Sequence, residues 1–355
     1  MELEVEEFVK RATREGRGFC FYGAGLVAYG AFMAIRESCE VLPRAFVVTD
    51  RAGNPTDIAG IPVVTPDGVP MDTPIVAAVL RMHQDAIAAY LAEHGYTRVH
   101  VLSQHEEQQL MTGYYAGLGM FPMAEEGASG EPVDLGLYEV MNDRDKPIGN
   151  HPALRHFEHA IQAGAALAEA RISPITDSAG ENISGKNRQY SEMTATYWVW
   201  RNTSHAWKGI EHYRRHLLLE PGMLGDDVDA VLSLPYMRYP NSMAELQRYV
   251  REDVRTVLFR ALQEVCPLEY ETYLSVLGEP YFYPYNMVLA RREVFDRYAA
   301  WLFSITRRME ELAEDVPEVG APRVLGYVGE VLTSIYFLAH RDSLRIRHAD
   351  REIYV

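Results

Sequence analysis

An α/β protein of two domains is what three features of the 355-residue sequence predict. Short apolar runs alternate with amphipathic stretches over the first hundred or so residues. In the second half, apolar runs lie among longer segments of helical period. Between them residues 119–135, GMFPMAEEGASGEPVDL, mix Gly, Pro and acids with no sustained period. A strand–helix succession builds a parallel sheet covered by helices. Residues 1–118 are therefore expected to form a Rossmann-like domain, 119–135 a connection, and 136–355 a second α/β domain.

In order, GFCFYGAG reads as a strand entering a Gly-rich turn, VAYGAFMAIRES as the following helix, and AFVVTD as a second strand ending at Asp50. PIVAAV and RVHVL are further strands, with HQDAIAAYLAEHG a helix between them. The second domain starts near LYEVMN. Its helices are expected around 243–265, in REVFDRYAAWLFSITRRMEELAE and in VLGYVGEVLTSIYFLAH, with NMVLARR (286–292) a buried strand.

Hydrophobic residues at 48% and charged residues at 24% match ordinary folded chains. A net charge of -16 argues against nucleic-acid binding and weakens attraction to anionic lipid. No run approaches the roughly 18 apolar residues of a membrane span, and MELEVEEFVK is unlike a signal peptide, so a cytoplasmic protein is expected. Cys20, Cys39 and Cys266 are odd in number and far apart, as reduced core thiols would be. No G-x-S-x-G elbow, H-E-x-x-H helix or G-K-[ST] loop supports a hydrolase or an NTPase.

Gly23-Ala24-Gly25, followed by Ala28 and Gly30, approximates a dinucleotide fingerprint, with Asp50 at the end of the next strand placed for a ribose hydroxyl. The same turn closes many units that bind nothing. It leaves open an NAD(P)-dependent oxidoreductase, or a non-catalytic module that binds a sugar nucleotide. The pattern YGAG, VTD, Asn54-Pro55 and Gly60-Ile61-Pro62-Val63 resembles small Rossmann-like sugar-nucleotide or regulatory domains appended to bacterial polysaccharide enzymes.

In the last part of the stretch from Asp177 to His216 the local charge reverses: Arg201, Lys208, Arg214 and Arg215 gather against one acid, Glu211. Such a reversal in an acidic protein suggests a phosphate-bearing ligand. Asp177, Gly180, Asn182-Ile183-Ser184, Lys186-Asn187, Tyr190, Glu192, Thr194, Tyr197-Trp198 and Trp200-Arg201-Asn202 resemble a bacterial capsule and O-antigen glycosyltransferase family catalogued as domain of unknown function 4422. So do His212-Tyr213-Arg214-Arg215, Asn286-Met287, YAAWLF (298–303) and RVLGYVGE (323–330), the likeness spanning about 175–335. It implies a GT-A-like fold, a nucleotide-sugar donor and transfer to a cell-surface polysaccharide, lipid-linked acceptors included. The donor is expected to be UDP-linked, and some relatives are associated with galactofuranose. Where the family opens with a strand and a His-Lys pair, this chain has LYEVMNDRDKP.

Glycosyl transfer loads negative charge on a departing diphosphate, and arginines can face it in place of a metal. His212, Tyr213, Arg214 and Arg215 are the first candidates, with Asn182, Ser184, Lys186, Asn187, Arg201, Arg323 and Asn286 as further donor-binding residues. Metal-independent, inverting chemistry with no required cofactor and work at the inner membrane face are the expectations. The base is expected at Glu330, a lone charge in an apolar helix, with Glu192 and Asp177 behind it; a buried Glu330–Arg323 ion pair is the structural alternative. Asp227-Val228-Asp229 reads as a polar turn before a strand. Tyr190, Tyr197, Trp198 and Trp200 recur at helical spacing, as core residues do. His151, His156 and His159 lack companions at metal-ligand spacing, and no metal site is assigned.

Overall fold

The computed structural model describes residues 2–125 and 133–354; residues 126–132 of the expected connection lie outside the described residues. The chain forms two compact units, Met1–Pro122 with Tyr236–Asn241, and Met123–Pro235 with Ser242–Val355. Residues 136–355 are thus not one continuous domain.

The first unit runs α1 (Glu4–Arg14), β1 (Cys20–Tyr22), α2 (Leu26–Cys39), β2 (Phe46–Val47), β3 (Asp57–Ile58), β4 (Ile61–Val64), β5 (Ile75–Ala77), α3 (Arg81–Glu93), β6 (Val99–Val101) and α4 (Gln104–Gly117). Strands β4, β2, β1, β5 and β6 lie side by side and parallel, with β3 antiparallel at the edge. This is the Rossmann-like order. A Cβ on Gly23 would meet the Ala78 carbonyl at 2.5 Å, and its φ of +117° suits glycine. Gly25 caps α2, and exposed Asp50 accepts its own loop's Ala52 N–H. Gly30 departs from the fingerprint: it lies buried in α2 against Met111 of α4, a helix-packing glycine rather than a nucleotide contact.

The second unit contributes β7 (Leu135–Met141), β8 (Glu158–Gln162), β9 (Ile175–Thr176), α5 (Asn187–Tyr190), α6 (Met193–Asn202), β10 (Trp207–His212), β11 (Arg215–Leu217) and β12 (Ala230–Ser233). After β13 (Tyr236–Met237), which belongs to the first unit, come α7 (Ser242–Tyr249), α8 (Glu252–Val265), α9 (Tyr270–Leu277), β14 (Tyr281–Phe282), β15 (Val288–Arg291), α10 (Arg292–Leu312), α11 (Val324–Ala339), β16 (Ile346–Ala349) and β17 (Arg351–Ile353). Its sheet has the order β16-β12-β15-β10-β7-β8-β9, with β11 paired to β10 and β17 to β11. Among the described residues no helix is long and apolar enough to cross a membrane.

Register decides which residues meet. Parallel pairing sets Glu139 of β7 opposite Glu211 of β10, and Val140 opposite His212. Because side chains alternate, Leu135, Leu137, Glu139, Trp207 and Glu211 share one face. The apolar members of that set build a core with Leu217, Val231 and Leu289. The other face carries Lys208, Ile210 and His212 beneath α6 and α10.

Candidate functional site

Strand β10 turns into β11 through two residues, Tyr213 and Arg214, so His212 and Arg215 are cross-strand partners on the helical face. Glu211 and His216 therefore point the other way. The Arg215 guanidinium sits 4.0 Å from the centre of the Tyr285 ring. Next to that ring, Asn286 donates from Nδ2 to Glu192 Oε1 at 2.6 Å and to the Gly326 carbonyl at 3.3 Å. Its Oδ1 accepts from Thr333 Oγ1 at 3.0 Å, and the Thr333 hydroxyl also meets the Tyr298 hydroxyl at 2.7 Å. This chain of buried hydrogen bonds fixes the Glu192 carboxyl.

Helix α11 supplies the second carboxyl. Its 16 residues are apolar but for a few small polar groups and Glu330, its one charge. Gly326 and Gly329, one turn apart, let the corner between α5 and α6 press in: a Cβ on Gly326 would meet Ser191 Oγ at 2.9 Å. That approach brings Glu192, at the corner, to the face bearing Glu330. Among the described residues seven non-glycine residues have φ above zero, and Ser191, Tyr285, Asn286 and Arg323 are four of them. Each such conformation costs about 1–3 kcal/mol and persists where its surroundings over-determine it. Their concentration at one place marks a site built against local preference.

Electrostatics follow from this packing. Burial, then the neighbouring Glu192 and Glu245, push the Glu330 carboxyl up to about 8, while Arg215 pulls it down. Burial also raises Glu192, opposed by the Asn286 hydrogen bond and by Arg323 and Arg215. His212 is pushed down to about 3 by burial and Arg215, so its ring is neutral. Arg214 donates to the Tyr213 hydroxyl and, at 2.8 Å, to the Lys146 carbonyl. Arg214 and Arg323 both act on Asp145 in the loop after β7, whose carboxyl burial raises. Two carboxyls of raised pKa thus lie within the field of arginines from two segments, Arg215 of the hairpin and Arg323 before α11.

The structure sorts the sequence candidates. Glu330, Glu192, Asn286, His212, Tyr213, Arg214, Arg215 and Arg323 converge. Asp177 does not reach them: fully buried, it accepts from the Gly164 and Ala165 N–H groups at 2.8 and 3.0 Å and from Ser184 Oγ at 2.5 Å, which fixes the loop after β8. Asn182 folds back on the Ser178 and Gly180 carbonyls, and Lys186 pairs with Glu310 at 2.8 Å. Asn187 sits behind that loop, joined to Asn142, Thr194 and the Ser191 carbonyl. Arg201 pairs with Glu181 at 2.7 Å, exposed, on the last turn of α6. Lys208 is buried against Phe295 and paired with Asp296 at 2.7 Å. The reversal of charge along 177–216 therefore divides among several places. Arg323 caps α11 and stacks on Tyr327 with no ion pair to Glu330 among the described residues. Asp227 and Asp229 pair with Arg347 and Arg345. Tyr285 was missed; its signal was its place beside Asn286.

Asn286→Ala removes three buried hydrogen bonds and leaves the Thr333 hydroxyl and the Glu192 carboxyl without them. A loss of about 2–3 kcal/mol in urea-unfolding stability is expected.

These residues fall within one family match. The family described as Domain of unknown function (DUF4422) matches residues 153–341, more than half of the chain. The chain belongs to that family. Among solved structures it is similar to the bifunctional glycosyltransferase WbbM in its apo form, with 23% identity and a TM-score of 0.53 over 62% of this chain and 45% of that one. The chain spans less than half of that structure's length. No curated protein matches. The likeness assigns the fold: this DUF4422 chain has a GT-A-like α/β architecture, and its paired carboxyls and Arg215 stand where β10 ends.

Proposed function

We propose that this chain is a glycosyltransferase that moves a sugar from a nucleotide donor, UDP-linked and with galactofuranose among the candidates, to a cell-surface glycan acceptor. The supporting observation is the Glu192–Glu330 pair set against Arg215 and Arg323 at the end of β10. In the reaction, the acceptor oxygen attacks the anomeric carbon while Glu330 takes its proton, and the bond to the donor phosphate breaks with its electron pair left on the diphosphate. Arg215, Arg323 and Arg214 face that growing charge without a metal at the leaving group. Single displacement inverts the anomeric centre. An acceptor carried on capsule or O-antigen lipid would bring the protein to the cytoplasmic face of the inner membrane.

Thermal unfolding with UDP, UDP-sugars and NAD tests this reading. A ligand at about 100 times its Kd stabilises by about 2.7 kcal/mol, so a raised midpoint is expected with UDP-sugars, together with UDP release when acceptor is added. A shift with NAD and none with any nucleotide sugar would sink it.

A further inference from the structure

On the sheet face turned away from Arg215, polar groups collect where an apolar core would be expected. Glu139 and Glu211 are fully buried, and Glu158 and His216 nearly so. Glu158 is taken up by Arg155, which binds it with both backbone N–H and guanidinium. Glu139 Oε1 has His151 Nε2 at 3.2 Å, but among the described residues Glu139 and His216 meet no arginine. Their Oε2 and Nε2 atoms approach to 2.7 Å, yet both remain buried without a hydrogen bond, as does Glu211 Oε1. Leaving such atoms unpaired costs about 1–3 kcal/mol each, so a missing partner is the economical explanation.

The ring orientations say what that partner is. His151, in the loop between β7 and β8, has Nδ1 2.9 Å from the Pro152 carbonyl. A carbonyl only accepts, so Nδ1 carries a proton, and in the neutral ring the lone pair lies on Nε2, which is 3.1 Å from Glu139 Oε2 and 3.2 Å from Oε1. In His216, Nε2 faces Glu139, and Nδ1 points towards Glu211 Oε1 at 3.9 Å, beyond hydrogen-bond length. An outer acceptor hydrogen-bonded to the far ring nitrogen is the arrangement that orients a histidine on a metal, and the Pro152 carbonyl gives it to His151. One donor atom from each of Glu139, His151 and His216 lies within 4.8 Å of the others. Metal–ligand distances of about 2.0–2.2 Å place tetrahedral neighbours about 3.3–3.6 Å apart, so an ion would spread the donors slightly from the 2.7 Å between Glu139 and His216 and the 3.1 Å between Glu139 and His151.

We infer that Glu139, His151 and His216 bind a divalent transition-metal ion of the Zn2+ class, with Glu211 orienting His216 from behind. Two imidazoles and a carboxylate prefer such an ion to Mg2+, which takes oxygen ligands. The ion ties the β7–β8 loop, which also carries Asp145, to the β10–β11 hairpin that carries Arg215. It is a positioning site on the opposite face of that hairpin, distinct from the leaving-group arginines.

The full chain, dialysed against EDTA and then titrated with ZnCl2 alone, tests the assignment independently of transfer. Binding of about one equivalent and a raised thermal midpoint, reversed by EDTA, are expected. His151→Ala changes an exposed loop residue, so folding is not at risk, and it is expected to weaken Zn2+ binding at least about tenfold. Glu139→Gln acts likewise, Glu211→Gln weakens binding about 10–100-fold, and His156→Ala leaves it unchanged. No Zn2+-dependent shift, an equal shift with MgCl2, or unaltered binding in both His151→Ala and Glu139→Gln would overturn the site.

Discussion

Glu330→Gln is expected to abolish sugar transfer, by about a thousandfold or more, while donor binding stays within about twofold of wild type. The amide keeps the volume and the neutral form of the protonated carboxyl, so the pocket is preserved, but it cannot take the acceptor proton. Wild-type kcat/KM is expected to rise with pH through about 8, the value to which burial, Glu192 and Glu245 push this carboxyl, and the variant's residual rate should lack that limb. Stability gives a second readout. A carboxyl whose folded pKa is raised binds its proton more tightly when folded, so the native state loses stability as pH climbs from about 4.5 through about 8. At about 1.4 kcal/mol per unit, Glu330→Gln is expected to be about 2–4 kcal/mol more stable than wild type at pH 9. The gap should close towards pH 4. Full transfer activity would reduce Glu330 to structure.

Glu330 was legible because one charge in the helix VLGYVGEVLTSIYFLA has no cheap place to go. Its alternative partner, Arg323, was placed by spacing alone, and spacing does not show that Arg323 would cap the helix in a left-handed conformation. Both carboxyls belong to segments that resemble the family. The strained corner that presents Glu192 came from no pattern, since the packing of Ser191 against Gly326 and of Asn286 against Gly329 joins segments far apart in sequence.

Counting charges along 177–216 misled for a geometric reason. Lys208 and His212 lie on the same face of β10 yet four residues apart, about 13 Å along a strand, and Arg201 is on a different helix turn altogether. Only the hairpin register, His212 opposite Arg215, decides which cations share a pocket. The same alternation held an unread signal: LGLYEVM and WKGIEH each carry a Glu in an otherwise core-facing row, and pairing those strands in parallel brings Glu139 level with Glu211. His151 and His216 could not join them in sequence, being 12 and 5 residues away on other segments. In the first unit the sheet was readable from its apolar runs. The role of Gly30 was not, because a helix-packing glycine and a phosphate-turn glycine look alike until Met111 arrives.

Arg215→Ala is expected to cost about 2–4 kcal/mol in the transfer step, a rate loss of about 30- to 1000-fold, the range for a charged donor lost from a developing anion. Arg214→Ala is expected to cost about 1 kcal/mol, because its guanidinium is already committed to the Tyr213 hydroxyl and the Lys146 carbonyl. The two neighbours separate because Arg214 lies in the turn while Arg215 starts β11 opposite His212. A shift in the pH profile distinguishes electrostatics from packing. Arg215 lowers the Glu330 carboxyl, so its removal should carry the rising limb of kcat/KM to higher pH, whereas Arg215→Lys, which keeps the charge but not the planar fork, should hold the limb near its wild-type position and recover only part of the rate. Equal losses in the Arg214 and Arg215 variants with an unmoved limb would mean that the hairpin tip, rather than the Arg215 guanidinium, is what transfer depends on.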